Sequence, residues 1–442
     1  MKIVYLTAGA AGMFCGSCMH DNTLARAIAK QGVDIELVPT YTPIRTDEND
    51  FSVDQVFFGG INVYLQQKMP FLRFLPKLFD RFLDNPALIR RVTKNASKVA
   101  PAELGRLAVS MLKGEKGNQR KEVNRLCNWL TQKSNPDVII FSNILIGGCI
   151  PAIQRKLGAK TIVTLQGDDI FLDSLPEKYK QQCLVEINRL VPFVDAFITH
   201  SKFYARLMSE YLGVPQDKIM VTPLGIDIDD FEVADELKSD SAADSDGERT
   251  IGYLARLAPE KGLNLIVDAF IKLRAQNDCG NVKLKIAGYL GPTNELFAAE
   301  QFRKLNDAGL SSEYEYVGAI DRRDKVAFLR SIDLLSVPTV YQEPKGLFVL
   351  EAMASGVAVV QPDHGAFPEV IEQTEGGLLF EAHNLDDLVD KLKALLFDDA
   401  RRDTLANHGC HFVRKYRNSE SMAKQILELA QSLTEDSMKE TT

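Results

Sequence analysis

Short apolar segments alternate with helical patterns along the first half of the chain. The segments of strand length span residues 2–7, 35–38, 138–141, 162–165, 196–199 and 220–222. The first is followed by a glycine-containing loop at residues 9–12 and by a helical pattern over about residues 21–31. Strands that alternate with helices in this way build parallel sheets, so residues 1–230 are predicted to form one doubly wound α/β domain.

A second series of strand-length segments follows, at residues 251–255, 284–287, 314–317, 334–337, 358–360 and 378–380. This series predicts a second doubly wound domain over residues 250–417. Between the two series, residues 231–249 are rich in Asp, Ser and Ala and lack apolar periodicity, which is typical of a solvated surface loop. The expected fold class is therefore α/β with two domains.

Length, charge and cysteine content limit the functional classes. The length of 442 residues agrees with two domains, and the net charge of −8 argues against bulk nucleic-acid binding. The longest uncharged stretch, residues 138–154, contains Asn143, two glycines and Pro151, so it does not read as a membrane span. Seven scattered cysteines favour reduced thiols, and the chain opens directly into a strand without a leader pattern. We predict a cytoplasmic protein.

Residues 68–125 differ in charge from the rest of this acidic chain. They contain fourteen Lys or Arg and five Asp or Glu, with Phe and Leu at helical spacing. Such a basic amphipathic segment is typical of contact with an anionic membrane or an acidic acceptor. Helical cover over a cleft, with the charges in solvent, explains the same pattern and is the interpretation we favour.

Polar residues follow several strands of the first half. They are Asn143, then Gln166, Asp168 and Asp169, then His200. In doubly wound sheets, ligands bind outside the carboxyl ends of the strands. These residues therefore predict the lining of a cleft, although each of them alone could serve as a loop cap.

A C-x-x-C motif, Cys15 to Cys18, lies with His20 in the loop after the first strand. Such a pair next to His is typical of a redox pair or of half a metal site. No second cysteine pair follows in the sequence, so small residues lining a tight loop are the simpler interpretation. No metal is predicted.

Two glutamates stand eight positions apart in the second half, at Glu343 and Glu351. The segment between them predicts a helix that begins near Gly346 and ends near Gly356. A helix start offers unpaired N–H groups to a phosphate, and the two carboxylates could accept hydrogen bonds from sugar or ribose hydroxyls. A surface helix with a salt-bridged Glu is the alternative.

Arg256 and Lys261 lie in the turn that joins the first strand of the second series to its helix, and Gly262 opens that helix. Two cations beside a helix N-terminus can stabilise a diphosphate as its negative charge increases on departure. Solvated surface cations are the alternative. Because the Glu343–Glu351 segment lies at another strand–helix junction of the same predicted sheet, diphosphate binding is the better interpretation.

Together these residues resemble glycosyltransferase family 4, whose retaining enzymes have the GT-B fold of two facing Rossmann-like domains. The resemblance covers nearly the whole second half and rests on several ordered motifs. They span residues 252–256, 260–262, 317–318, 343–356, 365–369 and 376–379, and the junction at residues 221–227 also fits. The first half matches in outline only. The resemblance implies that a C-terminal helix, residues 418–442, crosses back and completes the first domain.

The resemblance also implies roles for single residues. The expected catalytic residues are Arg256 and Lys261, which would hold the donor diphosphate, and Glu343, which would contact the transferred sugar. The expected donor-binding residues are Gly12, Val317, Gly318, Ile320, Gly346, Leu347 and Glu351. The acceptor-side candidates are His20, Asn143, Gln166, Asp168, Asp169 and His200. Many relatives have a His where this chain has Gln166, and glutamine cannot exchange a proton.

The hypothesis is therefore transfer of a sugar from a nucleoside-diphosphate donor to an acceptor, with retention of anomeric configuration and without a metal or another cofactor. The acceptor is left open among a glycan, a lipid and a small molecule. An epimerase or hydrolase of nucleotide sugars on the same fold is one alternative. A catalytically inactive sugar-nucleotide binding protein is the other.

Overall fold

The computed structural model describes residues 1–9, 16–44, 46–53, 56–57, 100–231, 248–276 and 279–440. The chain separates into two compact units. The first contains Met1–Pro223 and Met422–Thr442, and the second contains Leu224–Ser421.

The first unit is built on a parallel six-stranded sheet in the order β2-β1-β3-β4-β5-β6. The strands are β1 (Lys2–Thr7), β2 (Asp34–Pro39), β3 (Val138–Phe141), β4 (Lys160–Thr164), β5 (Ala196–Thr199) and β6 (Ile219–Val221). The helices are α1 (Gly16–Lys30), α2 (Pro101–Leu112), α3 (Arg120–Trp129), α4 (Ile150–Leu157), α5 (Asp168–Asp173), α6 (Glu177–Leu190) and α7 (Lys202–Leu212). All residues of β3 and β5 are buried. A strand covered on both faces needs apolar residues on both, which explains why these strands read as unbroken apolar runs.

The second unit has its own parallel six-stranded sheet, in the order β12-β11-β10-β7-β8-β9. The strands are β7 (Glu248–Leu254), β8 (Asn281–Ala287), β9 (Tyr314–Tyr316), β10 (Leu334–Ser336), β11 (Ala358–Pro362) and β12 (Gly377–Phe380). The helices are α8 (Leu263–Arg274), α9 (Glu295–Asp307), α10 (Arg322–Arg330), α11 (Leu347–Ala354), α12 (Phe367–Thr374), α13 (Leu385–Leu396) and α14 (Asp399–Tyr416). Because β7 pairs with both β8 and β10, the strand order reverses beside β7, at the place where doubly wound sheets bind ligands.

The last helix, α15 (Ser419–Glu440), begins in the second unit and belongs to the first unit from Met422 onward. Met422, Ala423 and Ile426 on this helix are buried. The two parallel sheets and this helix confirm the predicted fold class.

The prediction of the first helix was wrong at its start. Helix α1 begins at Gly16, five residues before the predicted position, so Cys18 and His20 lie on a helix and not in a loop. The first turn has no acidic residue and opens with Gly16 and Ser17, which are weak helix formers, so it carries little start signal. Strand β7 also begins inside the predicted surface loop, because Glu248 and Arg249 pair with β8.

Several predictions lie outside the described residues. They concern Gly12, Cys15, most of the basic segment (residues 68–99) and residues 232–247 of the acidic loop. Among the helices that the structure describes, none has the length and apolar character needed to cross a membrane.

Candidate functional site

Lys261 and Glu343 meet in the second unit. Lys261 lies in the turn between β7 and α8, and Glu343 lies in the segment between β10 and α11. The Lys261 Nζ is 2.8 Å from Glu343 Oε2, and Glu343 is only 5% exposed. Burial by itself would raise the pKa of Glu343, but the Lys261 ammonium and the hydrogen bonds to the carboxylate hold this pKa below its ordinary value. The site therefore presents an ionised carboxylate and an ammonium group side by side.

Tyr341 joins this pair. Its hydroxyl is 2.5 Å from Lys261 Nζ and donates a hydrogen bond to Glu343, and the Lys261 Nζ also lies 4.8 Å from the centre of its ring. Burial and the Glu343 charge raise the pKa of Tyr341 well above its ordinary value, so the hydroxyl keeps its proton. Tyr341 carries no motif of its own in the sequence, although it stands only two positions before Glu343.

Two glycines allow the loops of this site to approach each other. Gly262 has a φ of +72°, and a Cβ at this position would lie 1.8 Å from the Pro338 carbonyl oxygen. Gly365 has a φ of +63°, and its Cβ would lie 2.7 Å from the backbone of Glu343. A larger residue at either position is excluded by both the backbone conformation and the contact. These glycines therefore fix the positions of Lys261 and Glu343.

The N-terminus of α11 lies directly beside Glu343. The backbone N–H of Gly346 donates to Glu343 Oε1 at 3.3 Å, and Gly346 has a φ of +68°. No side chain caps the helix, which begins at Leu347. Uncapped N–H groups and the positive end of the helix dipole favour an anion at this position. With Lys261 close by, the arrangement suits a phosphate next to a group that the Glu343 carboxylate can bind.

Glu351 lies further along α11, where its carboxylate forms a buried ion pair with Lys325 of α10. The Lys325 Nζ is 2.7 Å from Glu351 Oε1, and the two side chains are 8% and 7% exposed. Lys325 could not be identified from the sequence, because a single lysine in a helix carries no signal for burial.

The remaining donor-side candidates lie at the ends of β7 and β9 of the same sheet. Arg256 follows β7, its side chain is half exposed, and it pairs with Glu260 at 3.1 Å. Val317, Gly318 and Ile320 follow β9, and the Gly318 carbonyl accepts a hydrogen bond from the Gly288 N–H at 2.8 Å. Unlike Lys261 and Glu343, these four residues are not joined to one another by hydrogen bonds or ion pairs within the described part of the chain.

In the first unit, the buried carboxylate of Asp21 is the centre of a polar network. It accepts hydrogen bonds from the hydroxyls of Tyr5 and Thr7, each at 2.6 Å, and from Gln166 Nε2 at 3.0 Å. His20 Nδ1 lies 3.1 Å from the same carboxylate. The structure thus brings together His20 and Gln166, two of the predicted acceptor-side residues, through a residue that the sequence analysis missed.

His20 and His200 are in ring contact. Their ring centroids are 4.5 Å apart, and both side chains are buried. His200 Nδ1 lies 2.9 Å from the Thr222 carbonyl oxygen, which can only accept, so this nitrogen carries a proton. The contact joins the end of β5 to helix α1.

The predicted residues after β3 and β4 lie in the same network. Gln166 Nε2 also donates to the Ser142 carbonyl at 2.9 Å, and Asn143 contacts the Ser142 hydroxyl at 3.3 Å. Asp168 accepts hydrogen bonds from the N–H groups of Ile144 and Gln166, at 2.9 and 3.0 Å.

Both aspartates at the start of α5 have perturbed acidities. Burial raises the pKa of Asp168 to about 7, although its backbone hydrogen bonds act in the opposite direction. Burial also raises the pKa of Asp169, which accepts a hydrogen bond from the Tyr204 hydroxyl. The Asp168 carboxyl, which titrates near neutral pH, therefore links the loop after β3 to the loop after β4.

Two family models match the chain. The model of Glycosyltransferase Family 4 matches residues 101–230, and the model of glycosyl transferases group 1 matches residues 235–412. A D-inositol 3-phosphate glycosyltransferase of Stackebrandtia nassauensis is 26% identical over 253 residues, which are 56% of each chain. One from Nocardia farcinica is 23% identical over 375 residues, 80% of each chain. The match thus spans little more than half the length of the first relative.

Solved structures show the same fold over almost the whole chain. The structure of Anabaena HepE in complex with UDP superimposes with a TM-score of 0.67 at 15% identity, and it covers 98% of this chain and all of HepE. Such a likeness at low identity concerns the fold, and it agrees with the predicted GT-B architecture.

Proposed function

Because this chain belongs to glycosyltransferase family 4, we propose that it transfers a sugar from a nucleoside-diphosphate sugar to an acceptor hydroxyl, with retention of anomeric configuration. The single observation that carries this proposal is the contact of Lys261 with Glu343 beside the uncapped N-terminus of α11. A cation and helix N–H groups suit a phosphate, and a carboxylate next to them suits the hydroxyls of the attached sugar.

The roles of the donor-side residues follow from their positions. Lys261 and the Leu347 N–H bind the diphosphate, with Arg256 as a second cation on the same turn. The Gly346 N–H joins them when it exchanges Glu343 Oε1 for a phosphate oxygen. Glu343 accepts hydrogen bonds from the transferred sugar, and Glu351 accepts them from the ribose. Val317, Gly318 and Ile320 supply backbone for the nucleobase. HepE is a structural neighbour in complex with UDP, which makes UDP-sugars the first donors to test.

In the proposed reaction, the bond between the anomeric carbon and the diphosphate oxygen breaks, and the acceptor oxygen bonds to that carbon on the same face. The departing diphosphate takes the acceptor proton, so no protein base is needed. Lys261 and Arg256 stabilise the charge that develops on the diphosphate, which is the largest contribution expected from the protein. The proposal assigns no step to a metal or another cofactor.

The acceptor binds, in this proposal, at the network of His20, Asn143, Gln166, Asp168 and His200, with Asp169 beside it. Two of the relatives are D-inositol 3-phosphate glycosyltransferases, so a phosphorylated cyclitol is the first acceptor to test. A lipid acceptor would agree with contact between the basic segment, residues 68–125, and an anionic membrane. Residues 100–125 of this segment are described. A cytoplasmic location remains part of the proposal.

The test is incubation of the purified chain with UDP- and GDP-sugars, with and without inositol phosphate, followed by product analysis. Formation of a glycoside only in the presence of acceptor supports transfer. Conversion of the donor without acceptor, to an epimer or to free sugar, would instead support the epimerase or hydrolase. Tight nucleotide binding without any product would support the inactive binding protein. The anomeric configuration of the glycoside, measured by NMR coupling constants, tests retention.

A further inference from the structure

An open pocket of about 660 Å³ lies on the second unit beside the turn that carries Lys261. Its walls come from that turn, from the start of α8, from one face of α9 and from the segment after β10. Apart from Tyr341, no residue placed at the donor site above contributes a side chain to it.

Polar side chains in this pocket have unused hydrogen-bonding capacity. Glu300 is exposed, and within the described part of the chain neither its carboxylate nor the carboxamide of Asn264 forms a hydrogen bond or an ion pair. Gln301 is 2% exposed, and its carboxamide oxygen has no partner among the described residues. The Glu300 carboxylate and the Asn264 carboxamide are therefore open to the hydroxyl groups of a ligand.

The charges of the lining argue against an anionic ligand. Lys304 is paired with Asp268 at 2.9 Å, so its charge is already compensated. Glu260 is paired with Arg256 at 3.1 Å, whereas Glu300 adds a negative charge without a counterion among the described residues. A phosphate or carboxylate ligand would therefore meet repulsion in this pocket.

The apolar part of the lining suits the C–H face of a ring. Phe297 and Tyr341 contribute aromatic side chains, and Val340 is an apolar residue with 42% of its surface exposed. A sugar ring combines such a face with hydroxyl groups that both donate and accept hydrogen bonds. Carboxylate, carboxamide and aromatic groups together match this combination.

From these observations we propose that the pocket binds an uncharged sugar ring at a site separate from the donor residues. Tyr341 connects the two places, because its side chain lines this pocket while its hydroxyl contacts Lys261 and Glu343. The turn at Glu260 provides a second connection, since the Glu260 carbonyl accepts a hydrogen bond from the Val340 N–H at 2.9 Å. Binding of the sugar does not depend on whether the protein catalyses transfer.

The experiment is ligand-observed saturation-transfer NMR on the full chain, with methyl α-mannoside, methyl α-glucoside and methyl α-galactoside as probes. A saturable signal is expected from at least one probe. The Glu300→Ala and Asn264→Ala variants should weaken its binding about tenfold or more, because each removes a hydrogen-bonding group. Glu295→Ala is the matched control, since Glu295 lies on the same helix outside the lining and its loss changes the charge equally.

The Glu343→Gln variant distinguishes binding in this pocket from binding at the donor site. It should leave the saturation-transfer signal of the glycoside unchanged. Thermal unfolding shows whether each variant is folded, and Glu300 is exposed, so its replacement should not affect folding. The proposal is overturned if no probe gives a saturable signal, or if the signal persists in the Glu300→Ala/Asn264→Ala double variant. Competition by inorganic phosphate, or preference for uridine over every glycoside, would overturn the assigned ligand class.

Discussion

Lys261 and Glu343 are separated by 82 positions in the chain, yet Lys261 Nζ lies 2.8 Å from Glu343 Oε2. Neither charge is isolated, because Tyr341 contacts both groups and the Gly346 N–H donates to the carboxylate. Each member of the pair therefore has two functions, one toward its partner and one toward the proposed donor.

Loss of either charge should abolish most of the proposed transferase activity. We expect Lys261→Met and Glu343→Gln each to lower kcat by about 10²–10³-fold, since each removes a group that stabilises charge or orients the sugar. Initial rates at saturating donor measure this effect. Lys272→Met, which removes an exposed lysine from the end of α8, is the control and should keep normal kcat. Near-normal turnover in both site variants would contradict the assignment.

Removal of the Tyr341 hydroxyl should affect catalysis more than folding. In Tyr341→Phe the ring stays in place, but the Lys261 ammonium loses one of the contacts that position it. We expect kcat to fall about tenfold with little change in the KM for the donor, because the contact matters most when charge develops on the diphosphate. Tyr316→Phe is the matched control, since the Tyr316 hydroxyl donates to the Gly288 carbonyl. A rise in KM alone would exclude this role.

The Lys325–Glu351 pair should be much more important for stability than a surface pair of similar geometry. Lys325→Met leaves a buried carboxylate without its cation, and we expect a loss of about 3–5 kcal/mol in the free energy of unfolding. The double variant Lys325→Met/Glu351→Gln should recover most of this loss. Lys283→Met breaks an exposed pair with Glu248 at 2.8 Å and should cost less than about 1 kcal/mol. Urea unfolding of the four proteins measures these differences.

Stability should depend on pH through Asp168. Its pKa is raised to about 7 in the folded chain, while the unfolded carboxyl titrates near its ordinary value. The folded state therefore binds the extra proton between about pH 4 and pH 7, and the free energy of unfolding should fall by a few kcal/mol as the pH rises through that window. Asp168→Asn should remove this dependence but also lower the stability by about 1–3 kcal/mol, because a carboxamide has one acceptor oxygen for the two N–H groups of Ile144 and Gln166.

Asp173 provides the opposite case for comparison. Although burial would raise it, the pKa of Asp173 is lowered by Lys180 and by the Tyr211 hydroxyl. The contribution of Asp173 to the free energy of unfolding is present above the unfolded pKa and is lost as the pH falls. Asp173→Asn should therefore leave in place the decline in the free energy of unfolding between pH 4 and pH 7. If Asp168→Asn retained the full decline, another group would be responsible.

The strands could be predicted because burial on both faces produces continuous apolar runs. The predicted bounds of β3 and β5 agree with the structure residue by residue. Helix α1 shows where this method fails, because its first turn contains small and polar residues whose helical state depends on the surrounding fold. Hydrophobic periodicity detects the apolar face of a helix. A first turn that lacks an apolar face cannot be predicted from periodicity.

The candidate site was only partly accessible from the sequence. Lys261 and Glu343 were singled out from their places at predicted strand–helix junctions, and the family resemblance gave them roles. Their contact across 82 positions could not be predicted from local patterns. Asp21, Tyr341 and Lys325 were missed for a common reason. Each is a single polar residue whose burial depends on partners from other elements, and such partners are known only after the chain has folded.

Helix α15 returns the end of the chain to the first unit, and this has a consequence for biosynthesis. The second unit is one continuous stretch, Leu224–Ser421, so all of its residues have been translated before Met422 is added. The first unit lacks Met422, Ala423 and Ile426 until that moment, and the apolar surface they cover stays accessible on the nascent chain. Folding of the first unit is therefore expected to be completed only after the whole second unit has been translated.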